Sequence, residues 1–530
     1  MFRILICFII GIIAIAFSQI KVNMPFDYSR HQGYVINEGV MLWNQDWSSG
    51  PFFFDGSFEN YPSKFGPRIE AEYFSPNIDS TVDDSNFVSS YFDYVQGDYF
   101  LDNLDIGLKF INKNNKISLN GFKRKYAGAY NQYTAASEAI SPIQYTYTGT
   151  YSAKINNDQI TVAIGSFNSD YSLFDTLSNS FVNSDIISSN IIYKHNDENN
   201  SYIINSNTFL QKYYSSFSEI SDNNIRFLNR TKNSGLFNRA YGNLFFSFLV
   251  ESNKRTYRSN IFKSTEWSVI KIGVNTNRLS FSSGASKLNN DLKIVYDGHF
   301  SYEIFDILLS LKFSRKVNPS HISLLDTTFF EIKEKTSLSG KWSKNKISAR
   351  LNIFYNKYNP PPVLNDNLYL NLGSSLWISS DINVKFSQNT NMLFGLDKMY
   401  SNNFITDGVN DRARIVIQNK FGLFSKSMKV NTSLNFSGLF NRQTEYVLHP
   451  TEQFPVKINH DQSLNNILLL DFFISAQIKN IQIKYDMYNL ANIIYDYLGK
   501  NDQDFNYQLS PYFPELRRLT SLSINWIFRD

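Results

Sequence analysis

The chain has 530 residues, 18% of them charged and 42% hydrophobic, with a mean hydropathy of −0.30. Lys+Arg 51 against Asp+Glu 47 leaves a net charge of +4, too balanced for the concentrated basic face of a nucleic-acid binder. The single cysteine, Cys7, lies in the first segment, so beyond it there is no disulfide, thiolate nucleophile or cysteine-based metal site.

The chain opens on an export signal. Arg3 precedes a near-continuous apolar run over residues 4–17, and Ala16-Phe17-Ser18 offers small side chains for cleavage before Gln19. The run is short for the ~30 Å of hydrocarbon that a membrane helix crosses. No later stretch reaches the ~18 consecutive apolar residues of such a helix. A membrane-spanning chain of this kind must therefore close into a barrel, where every backbone group finds a partner. Residues 19–67 carry Trp43, Trp47 and Phe52-Phe53-Phe54 beside Gly50 and Gly56. Exposing so many aromatics to water is costly, so this segment is expected to pack on the barrel or inside it.

From residue 68 onward the recurring pattern is alternation, the mark of strands with one apolar and one polar face. Ile69, Ala71 and Tyr73 alternate with Arg68, Glu70 and Glu72. Polar turns then separate paired runs: 112–115 divides 104–111 from 117–126, and 156–158 divides 145–155 from 160–167. Residues 195–200 do the same for 186–193 and 202–210. Further on, Ile347, Ala349, Leu351, Ile353 and Tyr355 alternate with Ser348, Arg350 and Asn352. Ile382, Val384 and Phe386 alternate with Asp381, Asn383, Lys385 and Ser387, and Val430, Thr432, Leu434 and Phe436 with Lys429, Asn431, Ser433 and Asn435. Lys479-Asn480 joins 472–478 to 481–487 in a minimal hairpin. The proline-bearing stretches 359–367, 447–463 and 500–514 read as loops. At roughly 25–30 residues per strand with its connection, residues 68–530 are expected to form one all-β, transmembrane, antiparallel up-and-down β-barrel of about 16 strands, within 14–18.

The chemistry-bearing residues are sparse. His31, His195, His299, His321, His449 and His460 are scattered, with no metal-ligand spacing, and no Gly-x-Ser-x-Gly elbow marks a nucleophile. The small-residue stretch Ser282-Ser283-Gly284-Ala285-Ser286 lacks the lysine of a phosphate loop. No enzyme activity, cofactor or metal is expected. Asp407, Asp411, Arg412 and Arg414 mark a loop entering a strand, or in a functional version a charged constriction. Arg350, Asn383, Lys385, Lys429 and Lys484 fall on polar faces and are expected to look into the lumen, where ion preference would be set. The abundant Tyr and Phe are expected to form the aromatic girdles of a barrel at both membrane interfaces.

The final strand alternates Leu522, Ile524, Trp526 and Phe528 with Ser521, Ser523 and Asn525, and so resembles the C-terminal signal by which outer-membrane barrels are recognised for assembly. Phe528 is followed by Arg529 and Asp530, a departure from an aromatic final residue. Residues 470–479, Ile483-Lys484-Tyr485-Asp486, Tyr512-Phe513-Pro514 and residues 525–530 resemble the Bacteroidetes-type porin family, with a weaker echo at Gly128, Tyr130 and Gln132. The same region, through Asn489-Leu490-Ala491-Asn492 and Tyr495, is similar to the barrels of TonB-dependent receptors. Those receptors carry a plug of well over a hundred residues, for which residues 19–67 are too few.

These resemblances imply a bacterial outer-membrane channel for passive diffusion of small polar solutes. The alternative is a plugless TonB-receptor-like barrel, acting as a receptor or as the outer-membrane partner of another complex. Outer-membrane lipid and, during biogenesis, the barrel-assembly machinery are the expected partners. A homo-oligomer is compatible with that class, and a nucleic-acid partner is not expected.

Overall fold

A computed structural model describes residues 35–37, 40–42, 86–128, 143–172, 181–216, 225–319, 330–358, 373–402, 409–425, 427–442, 446–449, 454–457, 465–491 and 517–529. Strand after strand, the alternating segments satisfy their backbone groups in ladders with the next strand along. Twenty-two of them form one closed ring, in which each neighbouring pair is antiparallel. The first strand of the ring is Phe87–Gly97 and the last is Leu519–Arg529. These two close it, in register from Ser521↔Gly97 to Arg529↔Ser89. The ring is complete over residues 87–529, and the alternating stretch 68–73 lies outside the described residues.

The expected class holds, an all-β antiparallel closed barrel, but the count of about 16 strands does not: there are 22. The discrepancy comes from the connections. The chain spends roughly 20 residues per strand with its connection, not the 25–30 expected of long external loops. Two-residue turns are frequent, and even the rim with the longer loops has tight links at 98–101, 259–261 and 289–290.

The two rims differ. At one, every connection is short, as at 112–114, 156–157, 305–306, 345–346 and 479–480. At the other lie the long connections 126–142, 359–372, 443–466 and 489–518. One of these, expected to be an irregular loop, carries its own hairpin, Tyr446–His449 with Phe454–Lys457. A second small hairpin, Val35–Asn37 with Val40–Leu42, precedes the barrel in sequence. The first strand begins and the last one ends at the short-turn rim, as an even strand number requires.

The outer face is apolar and open. On the strand Leu244–Arg258, Leu244, Phe246, Phe248 and Val250 are exposed, while Asn253, Arg255 and Tyr257 on the other face are buried. Ile160, Val162 and Ile164 continue the belt on Asp158–Ser172, and Leu292 and Ile294 on Asp291–Ile304. No helix among the described residues is long and apolar enough to cross a membrane. A contiguous exposed apolar belt on a closed barrel is what a lipid-facing surface requires.

Aromatics crowd both edges of the belt. At the short-turn rim Phe305 is 93% exposed and Phe424 76% exposed, each at a positive φ (47° and 50°). Phe305 and Asp306, both at positive φ, form the two-residue turn between Ile304 and Ile307, a position that normally takes Asn or Gly. A backbone that tolerates that conformation in order to hold a phenyl ring outward is explained by a lipid interface, where the ring is not wasted. Phe262, Tyr355 and Tyr400 stand exposed toward the long-loop rim.

The wall packs closely where it is narrow. A Cβ at Gly284 would overlap the carbonyl of Ile270, so the stretch 282–286 is a strand segment whose small residues let two backbones approach. Next to it, the ladder between Asp291–Ile304 and Ile307–Pro319 stops at Tyr296↔Arg315. Beyond that point Trp267, Leu288, Val295, Val317 and Phe330 pack together.

Candidate functional site

A barrel does its selective work on the inner wall, so the candidate site is the set of inward-facing polar and aromatic side chains. Facing is fixed by parity: on each strand, residues alternating with the exposed apolar ones look inward. By this criterion Arg350 looks inward with its cross-strand partners Lys341 and Asp381. Asn383 and Lys385 alternate with exposed Ile382, and Lys429 pairs with Gln477 on the same face. Lys484 donates to Asp486 at 2.7 Å and lies 5.3 Å from the centre of the Phe473 ring. Lys385 and Lys429 sit next to short turns, while Arg350 and Lys484 lie a few residues farther up the wall. The five line one face of the wall without forming one cluster. Leu522, Ile524, Trp526 and Phe528 are all exposed on the outer face, and the Trp526 and Phe528 rings stack with centroids 4.4 Å apart.

The charge cluster near residue 411 divides between the faces. Asp407 lies outside the described residues, and the strand begins at Val409. Asp411 faces outward, 3.8 Å from Lys398. Arg414 faces inward and donates to Asp381 at 2.7 Å, with its side chain lying where a Cβ on Gly395 would intrude. Arg412 is placed over the Trp377 ring at 4.7 Å.

The densest polar face was not singled out in the sequence. Toward the long-loop rim, four consecutive strands, Asn200–Ser215, Ile225–Tyr241, Leu244–Arg258 and Phe262–Asn275, bring Tyr213, Arg226, Arg230, Arg255 and Trp267 together on the inner wall. Arg226 stacks on Tyr213 at 4.7 Å, directly across the ladder. Arg230 and Arg255 are themselves a cross-strand pair, and both lie over Trp267, at 5.9 and 5.7 Å. Arg255 also donates to the carbonyl of Pro319 at 3.3 Å. The three arginines are 3%, 7% and 4% exposed. One step toward the short-turn rim, Lys232 and Glu251 form an ion pair at 2.9 Å. A guanidinium can stack on an aromatic face through its plane while its edge forks onto carboxylate or phenolate oxygens. Alternation alone could have put Arg226 and Arg230 on one face and Arg255 on another, but the register that joins them is not written in one strand.

A third inner-wall group stands at Tyr91, whose hydroxyl donates to Asp105 at 2.9 Å while Asn120 donates to the same carboxylate at 2.7 Å. Gly107 leaves the space that the Tyr91 ring fills. Among the described residues no group of three His, Cys, Asp or Glu is placed to hold a metal ion. His195 lies 2.7 Å from Asp158, and His299 lies 2.9 Å from the Ser310 hydroxyl.

No family model matches the chain, and no curated protein matches it in sequence. Solved structures share its fold. The FrpB iron transporter from Neisseria meningitidis aligns with a TM-score of 0.65 at 8% identity, over 84% of this chain and 82% of that one. The ferric enterobactin receptor PfeA from Pseudomonas aeruginosa, as a mutant, aligns with a TM-score of 0.63 at 9% identity, over 84% and 81%. BauA, the ferric preacinetobactin receptor from Acinetobacter baumannii, gives 0.58 at 10% identity, over 84% and 80%. At such identities the likeness is one of fold alone, a large closed antiparallel barrel.

Proposed function

We propose that this chain is an outer-membrane receptor that takes up a bulky anionic ligand, and not a porin for passive diffusion. The observation that carries the proposal is the buried arginine–aromatic face inside a ring of 22 strands. Barrels of ~16–18 strands already leave an aqueous channel, and those of ~22 strands are the plugged transporters. An open lumen of that width would abolish the permeability barrier, so selective binding is the use of such a barrel that a cell tolerates. The solved structures of like fold include an iron transporter and ferric-siderophore receptors, which favours a ferric chelate as ligand. Delocalised, ring-bearing and negatively charged, a ferric catecholate matches three guanidiniums laid against a tyrosine and a tryptophan.

Within this reading the long loops face the medium and the short turns face the periplasm, so the arginine face lies at the outer end of the lumen. Residues 19–67 pack on or in the barrel, and the exposed belt sits in outer-membrane lipid. Trp267 supplies the test. Titrating the refolded protein with a ferric catecholate is expected to quench tryptophan emission saturably, and Arg230→Ala with Arg255→Ala to weaken binding at least tenfold. A neutral sugar of similar size should have no effect. Equal affinity in the double variant, or no saturable change with any ferric chelate, contradicts the proposal. The porin reading would then regain its place.

A further inference from the structure

The outer wall is apolar where it meets lipid, yet a face spread over five neighbouring strands departs from this. On Ile225–Tyr241 the outward residues Asn229, Thr231 and Asn233 stand between Phe227 on the long-loop side and Phe237 on the short-turn side, both of them exposed. On Asn200–Ser215, Ser206 and Thr208 stand between exposed Ile204 and Leu210. On Phe262–Asn275, Ser264, Glu266 and Ser268 stand between exposed Phe262 and Ile270. Apolar residues at both ends place these polar runs within the belt, not beyond its edge.

Register joins the runs into one surface. Ser189, Thr208, Thr231, Lys254 and Glu266 follow one another across four ladders. Beside this row, Ser206, Asn233, Ser252 and Ser268 do the same across three. Ser206 donates to Asn233 at 2.9 Å, and Lys254 pairs with Glu266 at 2.7 Å, their side chains 56% and 67% exposed. By contrast, outward Ser380 stands alone between Leu351 and Leu396. Hydrocarbon offers no partner to an amide or a hydroxyl, and a charge there is costlier still. A single serine loses little, whereas two adjoining rows of amides, hydroxyls and charges call for protein against them.

The chemistry of the face selects that protein. Lys254 and Glu266 present both signs side by side, so a mate turned through a two-fold axis meets each charge with its opposite. Hydroxyls and amides both donate and accept, which makes the rows complementary to themselves. A phosphate-bearing lipid would answer Lys254 and bordering Lys287 but oppose Glu266 and leave the amides unmatched. Five strands ~4.8 Å apart make a face roughly 20 Å wide and, with its apolar ends, ~25 Å tall. That is the scale of the ~800 Å² per partner that a stable pair buries.

We propose that this face is the contact between two copies of the chain, packed side by side in the membrane about a two-fold axis. The inference does not rest on the receptor reading, because it concerns the outer side of the wall. The same strands carry Arg230 and Arg255 on their inner side, so the second copy braces the wall behind the arginine face.

Thr231→Cys, at the centre of the face, tests it in a Cys7→Ser chain, which then holds no other thiol. The protein is refolded into vesicles with many lipids per chain and treated with a flexible bis-maleimide. It is expected to give at least tenfold more covalent pair than Leu396→Cys made in the same way, whose thiol lies on the far wall and reports chance collisions. Adding Thr208→Val and Asn233→Leu should lower the yield to the Leu396→Cys level, with the heat-modifiable band showing that the barrel is folded. A Thr231→Cys yield no higher than that of Leu396→Cys overturns the proposal without any variant of the polar rows having to fold. A yield that survives the two apolar substitutions also overturns it, because the copies then meet through something other than these rows.

Discussion

At the scale of single residues the wall is explained by which way each side chain points. Leu396 is exposed midway along the strand Thr390–Asn402, between Gly395 and Asp397 on the inner face. Leu396→Arg would place a guanidinium in hydrocarbon and is expected to cost ~2–4 kcal/mol of folding free energy. Asn383→Arg, on the inner face, should lie within ~0.5 kcal/mol of the parent. Urea-dependent folding into lipid vesicles measures both, and equal costs would mean the faces are assigned the wrong way round. The outer-face residues were legible in the sequence because alternation needs only one strand to be read. Trp267 and the arginines around it were not, since their meeting depends on four strands falling into one register.

At the scale of elements, hairpins do the organising. The turn at Lys479 and Asn480 was legible because two alternating runs leave only two residues between them, and Lys479 takes the positive φ such a turn demands. The turn at Phe305 and Asp306 was not, because its sequence lacks the Asn or Gly that announces one. Turns this short bring the chain to roughly 20 residues per strand, below the roughly 25–30 that predict about 16 strands, and so to 22. Close strand approach gives a prediction here. Gly284→Val would drive its side chain into the Ile270 carbonyl, and is expected to destabilise the barrel by ~1–3 kcal/mol. Gly235→Ala meets nothing within 4 Å and should be nearly neutral. The gel shift between unheated and boiled barrel, followed against temperature, reports both. Similarly, removing residues 519–529 would leave Phe87–Gly97 and Ile481–Tyr488 as open edges, and no heat-modifiable barrel is expected.

At the scale of the whole molecule, three properties converge: a closed ring with no free edge, an apolar outer belt with aromatic borders, and an inner wall that gathers buried arginines against aromatic rings toward the long-loop rim. Fold class was legible from alternation and from the missing membrane helices, because both are properties of the chain as a whole. Barrel width was not, and width decides between diffusion and selective uptake. A narrower ring could serve as an open pore, whereas the proposed reading gives this one an occupied lumen and a recognised ligand. The measurement that bears most directly on this is the single-channel conductance of the refolded chain in a planar bilayer at low salt. The account predicts a folded, inserted protein that passes almost no current. Stable ohmic steps of the size expected for an unobstructed lumen would contradict it and return the protein to the class of diffusion porins.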